Sequence, residues 1–124
     1  MIRRRKPKVY ISAPITGYDL NERRKMFAQW AQMLVDAGCE PVNPMEKGLP
    51  DSAPYKEHMK ADIANLLKCD GYILHKSWPE SRGCKCEESV AAACGIKFIG
   101  FIGENGIEFI SENLRNLKAE VRKR

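Results

Sequence analysis

Short apolar runs alternate with segments of helical periodicity along the whole chain, and no other feature narrows the possible folds so far. Lys8-Val9-Tyr10-Ile11-Ser12, Glu40-Pro41-Val42, Tyr72-Ile73-Leu74-His75 and Lys97-Phe98-Ile99-Gly100-Phe101-Ile102 read as strands. Phe27, Trp30, Ala31, Leu34 and Ala37 recur at helical spacing between the first two. Tyr55, Met59, Ile63, Leu66 and Leu67 do so before the third, and Ile107, Ile110, Leu114, Leu117 and Val121 after the fourth. Asp19 followed by Glu22 predicts a capping box at the first helix start, and Gly38 its stop. The order β-α-β-α-β-α-β-α predicts one α/β domain: a doubly wound, flavodoxin- or Rossmann-like three-layer fold. It should have four to five parallel strands with helices on both faces. The fourth strand, apolar nearly throughout, fits a sheet covered on both sides.

In such sheets ligands bind beyond the carboxyl ends of the strands. The segments there are 12–18, 43–51, 75–82 and 103–106. The third runs into Ser81-Arg82-Gly83-Cys84-Lys85-Cys86-Glu87-Glu88 and then an Ala-rich helix ending at Gly95. Ser81 is a candidate N-cap, and Gly83 predicts a tight turn before the helix. The N–H groups of that helix start suit an anion. Glu87 shares a helix face with Gly83, Cys84, Ala91 and Cys94. A carboxylate among such small neighbours is either functional or, with Glu88, a solvated first-turn acid that complements the helix dipole. Spacing leaves both open. His58, Asp62 and Asn65 form a polar line that is a wet helix edge unless Asp62 meets Glu87.

The chain has 124 residues and a formal charge of +5. Seven of its 21 basic residues lie at the ends, as Arg3, Arg4, Arg5, Lys6, Arg122, Lys123 and Arg124. The body then carries 14 basic against 16 acidic residues, so it is not a basic surface of the kind that binds nucleic acid. The expected organisation is a basic tail at 1–7, a domain at 8–121 and a basic tail at 122–124. The tails are solvated ends or, less economically, a nucleic-acid contact. No apolar run is long enough to span a bilayer, and the N-terminus lacks the apolar core of a signal peptide. Five scattered cysteines, an odd number, point to a reducing cytoplasm and to use as small hydrophobes. Cys84-x-Cys86 has no matching second pair, so no metal is expected. The phosphate-loop and dinucleotide fingerprints are absent, and no cofactor is expected.

Four motifs resemble the nucleoside 2-deoxyribosyltransferase-like superfamily, and most of all its short DUF4406-type branch. Val9-Tyr10-Ile11-Ser12-Ala13-Pro14-Ile15-Thr16-Gly17 is similar to the family's opening "VYISGPMTG". Val42-Asn43-Pro44 is similar to its second-strand ending. Met59-Lys60-Ala61-Asp62-Ile63 with Cys69-Asp70 is similar to its helix and third-strand start. Trp78-x-x-Ser81-Arg82-Gly83-Cys84-x-x-Glu87 is similar to its signature. The resemblance implies that Glu87 is the nucleophile toward C1′ of a deoxyribosyl group. It implies that Asp62 helps protonate the leaving base and that Tyr10 lies beside the glycosyl site. It assigns substrate contacts to Ser12, Ala13, Pro14, Ile15, Thr16 and Gly17, and to Asn43, Ser81 and Gly83. Ser81 stands where a nucleoside 5′-monophosphate hydrolase branch has a phosphate-holding Ser.

An ionised Glu87 and a protonated Asp62 would supply the two-carboxyl logic of retaining glycosidases. The expected function is therefore an enzyme that breaks the N-glycosidic bond of a (deoxy)nucleoside or its 5′-monophosphate, by deoxyribosyl transfer or hydrolysis. The competing reading is a nucleotide- or sugar-phosphate-binding module without turnover. The expected partner is a nucleoside or nucleotide, with no nucleic acid and no membrane. A homodimer or higher homo-oligomer is expected because relatives build sites across subunits, although the plain C-terminal helix offers no residue matching their shared group.

Overall fold

The computed structural model describes residues 5–123. Five strands form one sheet in the order β2-β1-β3-β4-β5: β1 (Lys8–Ser12), β2 (Glu40–Val42), β3 (Gly71–His75), β4 (Lys97–Gly103) and β5 (Gly106–Phe109). The first four are mutually parallel, and β5 runs antiparallel to β4. The helices are α1 (Leu20–Asp36), α2 (Tyr55–Leu66), α3 (Arg82–Ala93) and α4 (Ser111–Arg122). None of the described helices is long and apolar enough to cross a membrane.

Strand periodicity divides the core in two. Val9, Ile11 and Ile73 point to one side, where they meet Phe27, Trp30 and Leu34 of α1 and Leu117 and Val121 of α4. Tyr10, Tyr72 and Leu74 point to the other, where they meet Leu66 of α2 and Cys84 and Ala91 of α3. The β3–β4 register shifts by one residue between Tyr72 and Ile73. That shift places Ile99 and Ile102, three apart in sequence, in the same core. At the opposite edge of the strands, Asp70 accepts from the Lys8 amide at 2.8 Å and pairs with Arg5 at 3.0 Å, which ties the start of β1 to β3.

Sequence punctuation holds at most helix ends. Asp19 caps α1 by accepting from the Glu22 amide, and Gly38 and Gly95 adopt the positive φ that ends α1 and α3. Three expectations need correcting. The sheet is mixed, because the chain after β4 turns back as β5 rather than entering the last helix. Ile107 therefore belongs to that strand, and Ile110 precedes α4. Leu67, expected in the α2 stripe, is exposed at that helix's end. Residues 1–4 and 124 of the expected basic tails lie outside the described residues, while Arg5 is engaged by Asp70 and Arg122 closes α4.

Gly100 leaves no room for a side chain against β5: a Cβ there would stand 2.7 Å from the Glu108 carbonyl oxygen and 3.2 Å from the Phe109 Cα. Neither neighbour is a side chain that can swing away. Gly100→Ala is expected to cost about 1–3 kcal/mol, as overpacking does, read as a lower urea midpoint with an unchanged slope. An unchanged midpoint would mean that the two strands part without penalty.

Candidate active site

The strand order puts β1 at the point where the chain reverses its direction of winding, with β2 on one side and β3 on the other. A cavity of about 440 Å³ opens at the carboxyl ends of these strands, a size suited to a small organic ligand. Its floor is built from β1, α2 and α3. Tyr10 and Ser12 alternate with Val9 and Ile11, so both face α3. There the Tyr10 hydroxyl donates to Glu87 Oε2 and the Ser12 hydroxyl donates to Oε1 at 2.9 Å. Glu87 and Asp62 are each only 6 % exposed, and both line the cavity. The solvated first-turn reading of Glu87 is thereby overturned.

Ser81 caps α3 as expected, accepting from the Cys84 amide at 3.2 Å. Gly83 does not form a turn: it lies inside the first turn of α3 without a positive φ. A Cβ there would make ordinary van der Waals contact with Met59 Sδ at 3.4 Å and the Tyr55 hydroxyl at 3.5 Å, so this glycine sits against α2 at the cavity wall. Ala13, Ile15, Thr16, Gly17, Ser81 and Gly83 line the cavity with Tyr10, Asp62 and Glu87. Ser12 lies behind Glu87. Pro14 faces an adjoining hollow shared by Thr16, Ser81 and Gly83 and edged by Arg82. Asn43 is not on the cavity wall: its side chain accepts from the Met45 amide and caps the short helical turn Pro44–Glu46.

Lys47, just after that turn, is the residue the sequence did not single out. Its ammonium lies 3.0 Å from Asp62 Oδ1, with side chains only 9 % and 8 % exposed. A Lys in a loop next to Glu46 carries no sequence signal of burial. Tyr18, Tyr55 and His58 also line the cavity. Arg23 lies over the Tyr18 ring, and Arg82 lies over Tyr55. Among the described residues no three His, Cys, Asp or Glu side chains gather as a metal site. Cys84 is buried on the cavity wall, and burial pushes its thiol up, so it stays uncharged.

The electrostatics differ from the expected division of labour. Burial pushes Glu87 up to about 7. The Tyr10 and Ser12 hydroxyls pull it back, the Asp62 charge adds to the rise, and Lys47 opposes it. Asp62 is also raised, by burial first, although Lys47, by hydrogen bond and by charge, and His58 oppose the rise. Tyr10 is raised well above its ordinary range, by burial first and by Glu87 second, so its hydroxyl remains a donor. At neutral pH Glu87, expected to stay ionised, is near half-protonation, and Asp62, expected to hold the proton, is the one paired with a cation.

The profile of the family described as "Domain of unknown function (DUF4406)" matches residues 7–100. No curated protein sequence matches the chain significantly. Among solved structures, the fold is similar to a conserved protein from Enterococcus faecalis V583, with 25 % identity and a TM-score of 0.57. The match covers 76 % of this chain and 62 % of that one, so this chain spans less than two thirds of that protein's length. A 2-deoxyribosyltransferase from Bacillus psychrosaccharolyticus matches at a TM-score of 0.58 and 17 % identity, over 94 % of this chain and 91 % of that one. A CMP N-glycosidase from Clostridium botulinum matches at 0.52 and 20 % identity, over 89 % and 81 %. The fold is thus that of nucleoside deoxyribosyltransferase-like proteins.

Glu87 sets a pH dependence of stability. Its folded value, about 7, lies above the ordinary 4.5, so the folded protein binds the proton more tightly than the unfolded chain. Stability is full below about 4.5 and falls as pH rises toward 7. Glu87→Gln removes this loss. Between pH 4 and 8 its stability relative to the parent should improve by about 3 kcal/mol, from a rise of roughly two and a half pH units. Parallel urea titrations of the two proteins check this; a difference constant with pH would place Glu87 in water-like surroundings.

Proposed function

This chain belongs to the DUF4406 family, and on that premise we propose that it breaks the N-glycosidic bond of a (deoxy)nucleoside or nucleoside 5′-monophosphate. One observation carries the reading. A buried carboxylate, gripped on both oxygens by hydroxyls of a central strand, faces a ligand-sized cavity that it shares with a second buried carboxyl group. The named activities of the Bacillus and Clostridium structures, deoxyribosyl transfer and CMP N-glycoside cleavage, share this bond type.

In the proposed reaction a Glu87 oxygen attacks C1′ of the sugar. The C1′–N bond breaks, its electron pair passes to the base, and the Asp62 proton moves to the base nitrogen. Water or an acceptor base then attacks C1′, gives up its proton to Asp62 and releases Glu87 as the carboxylate. Oxocarbenium character on the sugar is met by the negative charge of Glu87 on one face. Tyr10 and Ser12 hold the carboxylate in a fixed orientation, which removes the cost of arranging it during reaction. The start of α3, with Ser81, Gly83 and Arg82 beside it, suits a 5′-phosphate.

Incubation with a panel of deoxynucleosides and their 5′-monophosphates, with and without an acceptor base, should release free base. Asp62→Asn should lower the rate about a hundred- to ten-thousandfold, the range for a positioned proton donor. Glu87→Ala should lower it at least as far. Because free-enzyme ionisations govern kcat/KM, this parameter should fall as pH rises through about 7, where Glu87 gives up the one proton that the pair must pass to the leaving base. Base release that persists in Glu87→Ala would refute the nucleophile. Tight ligand binding with no product from any substrate would favour a binding module.

A further inference from the structure

Three buried ionisable side chains meet on the cavity floor, and they do not balance. Asp62 and Glu87 are acids, and Lys47 is the one formal cation among the described residues lining this cavity, His58 aside. Lys47 sits against Asp62, not Glu87. Glu87 faces the Tyr10 and Ser12 hydroxyls from β1 and has the Cys84 thiol near it on α3. Asp62 faces Lys47 from the loop after β2, with His58 one turn earlier on its own helix and the Tyr10 ring within its field.

We propose that Lys47 decides which of the two carboxyl groups carries a proton. In the arrangement seen, its ammonium holds Asp62 as the carboxylate and leaves the proton to Glu87. A ligand whose carbonyl or anionic oxygen engages Lys47 releases Asp62 to take the proton from Glu87, which is left ionised. One proton moves and no co-reactant is needed. Lys47 is thus a positioning residue: it acts through the two acids, and a ligand without an acceptor at that place leaves them in the unproductive arrangement. The ligand clause rests on the function proposed above, whereas the distribution of the proton in the protein alone does not.

Two facts point this way. Lys47 is almost wholly buried, and a Lys buried to this extent is kept only with a partner. Its reach to Asp62 starts from a segment that is irregular on both sides, the turn Pro44–Glu46 before it and the loop 48–54 after it, so the side chain can change partner without moving a helix.

The test is titration of the protein labelled with carbon-13 at its Asp and Glu carboxyl carbons. In Lys47→Met the Asp62 midpoint should rise by about one to three pH units, the scale of losing an adjacent cation. Lys47→Arg should restore most of the parental value. In Asp62→Asn the Glu87 midpoint should fall below its parental value, because the repelling charge is gone and Lys47 has no other acid. An Asp62 midpoint unmoved in folded Lys47→Met overturns the proposal; should that variant not fold, an unmoved Glu87 midpoint in Asp62→Asn does so instead. In the parent saturated with a carbocyclic deoxynucleoside 5′-monophosphate, which has no glycosidic bond to break, the Asp62 midpoint should rise and that of Glu87 should fall. Bound ligand with both midpoints unchanged also overturns it. Failure of every nucleoside and nucleotide to release base would count against the proposed reaction, not against these midpoints.

Discussion

Two hydroxyls on one carboxylate hold this site together. Withdrawing an ionised carboxyl group from water costs several kcal/mol even after the protein relaxes around it. Tyr10 and Ser12 offset part of that cost, since a hydrogen bond to a charged group contributes about 1.5–3 kcal/mol. They do not offset it fully, and Glu87 is left near half-protonation at neutral pH. A purely structural residue would not be placed so. An apolar side chain among Ala91, Cys84 and Leu74 would pack the sheet against α3 without this loss. The carboxyl group is therefore retained against stability, which is the usual mark of a group kept for chemistry.

The fold makes that arrangement rigid. Period-two alternation sends Val9 and Ile11 into the α1/α4 core and Tyr10 to the α2/α3 side, with Ser12 beside it. Because β1 is flanked by β2 and β3, its backbone is fixed on both edges. Tyr10 is held from both sides, by Val42 and Tyr72, and Ser12 is held by Leu74 of β3. Ser81 fixes the start of α3, and one further turn of helix brings Glu87 over the strand. The less constrained parts of the cavity wall come from the loops 12–18 and 43–54, where binding residues can vary without cost to the sheet.

What could be read from the sequence divides along the same physical line. Alternation, caps and helix stops are local signals, and they located β1, α1, β3 and α3 closely. The spacing of Glu87 showed which face it shared but not whether that face was covered, because burial depends on what β1 brings to it. The motif resemblance supplied that missing information, by tying Tyr10, Asp62 and Glu87 into one group. Gly83 looked like a turn because glycine is the residue that enters positive φ most readily, yet here it takes an ordinary helical conformation. The strand β5 was hidden by Ile107, Ile110 and Leu114, whose spacing also fits a helix, and only its pairing with β4 decides the matter. Asn43 was credited to the ligand when its side chain is occupied with the backbone of the next turn. Lys47 could not have been found at all, since nothing in a polar loop announces that one of its charges folds inward.

Lys47 also changes how the pair of acids is to be understood. Two carboxyl groups in one poorly solvated cavity repel, and the ordinary outcome is that one of them keeps a proton. Which one is decided by their surroundings. Glu87 has neutral donors, which favour its charge moderately, while Asp62 has a full cation at 3.0 Å. On the role proposed for Lys47, the cation makes the resting distribution opposite to the one that the proposed cleavage demands. On that proposal the pair is set for reaction only by something that competes for Lys47. A sugar alone gives little competition for an ammonium; a base carbonyl or an anionic group gives much more. Selectivity would then reside in the protonation state of the catalytic pair and not solely in the shape of the cavity, and a ligand could fit well yet never be cut.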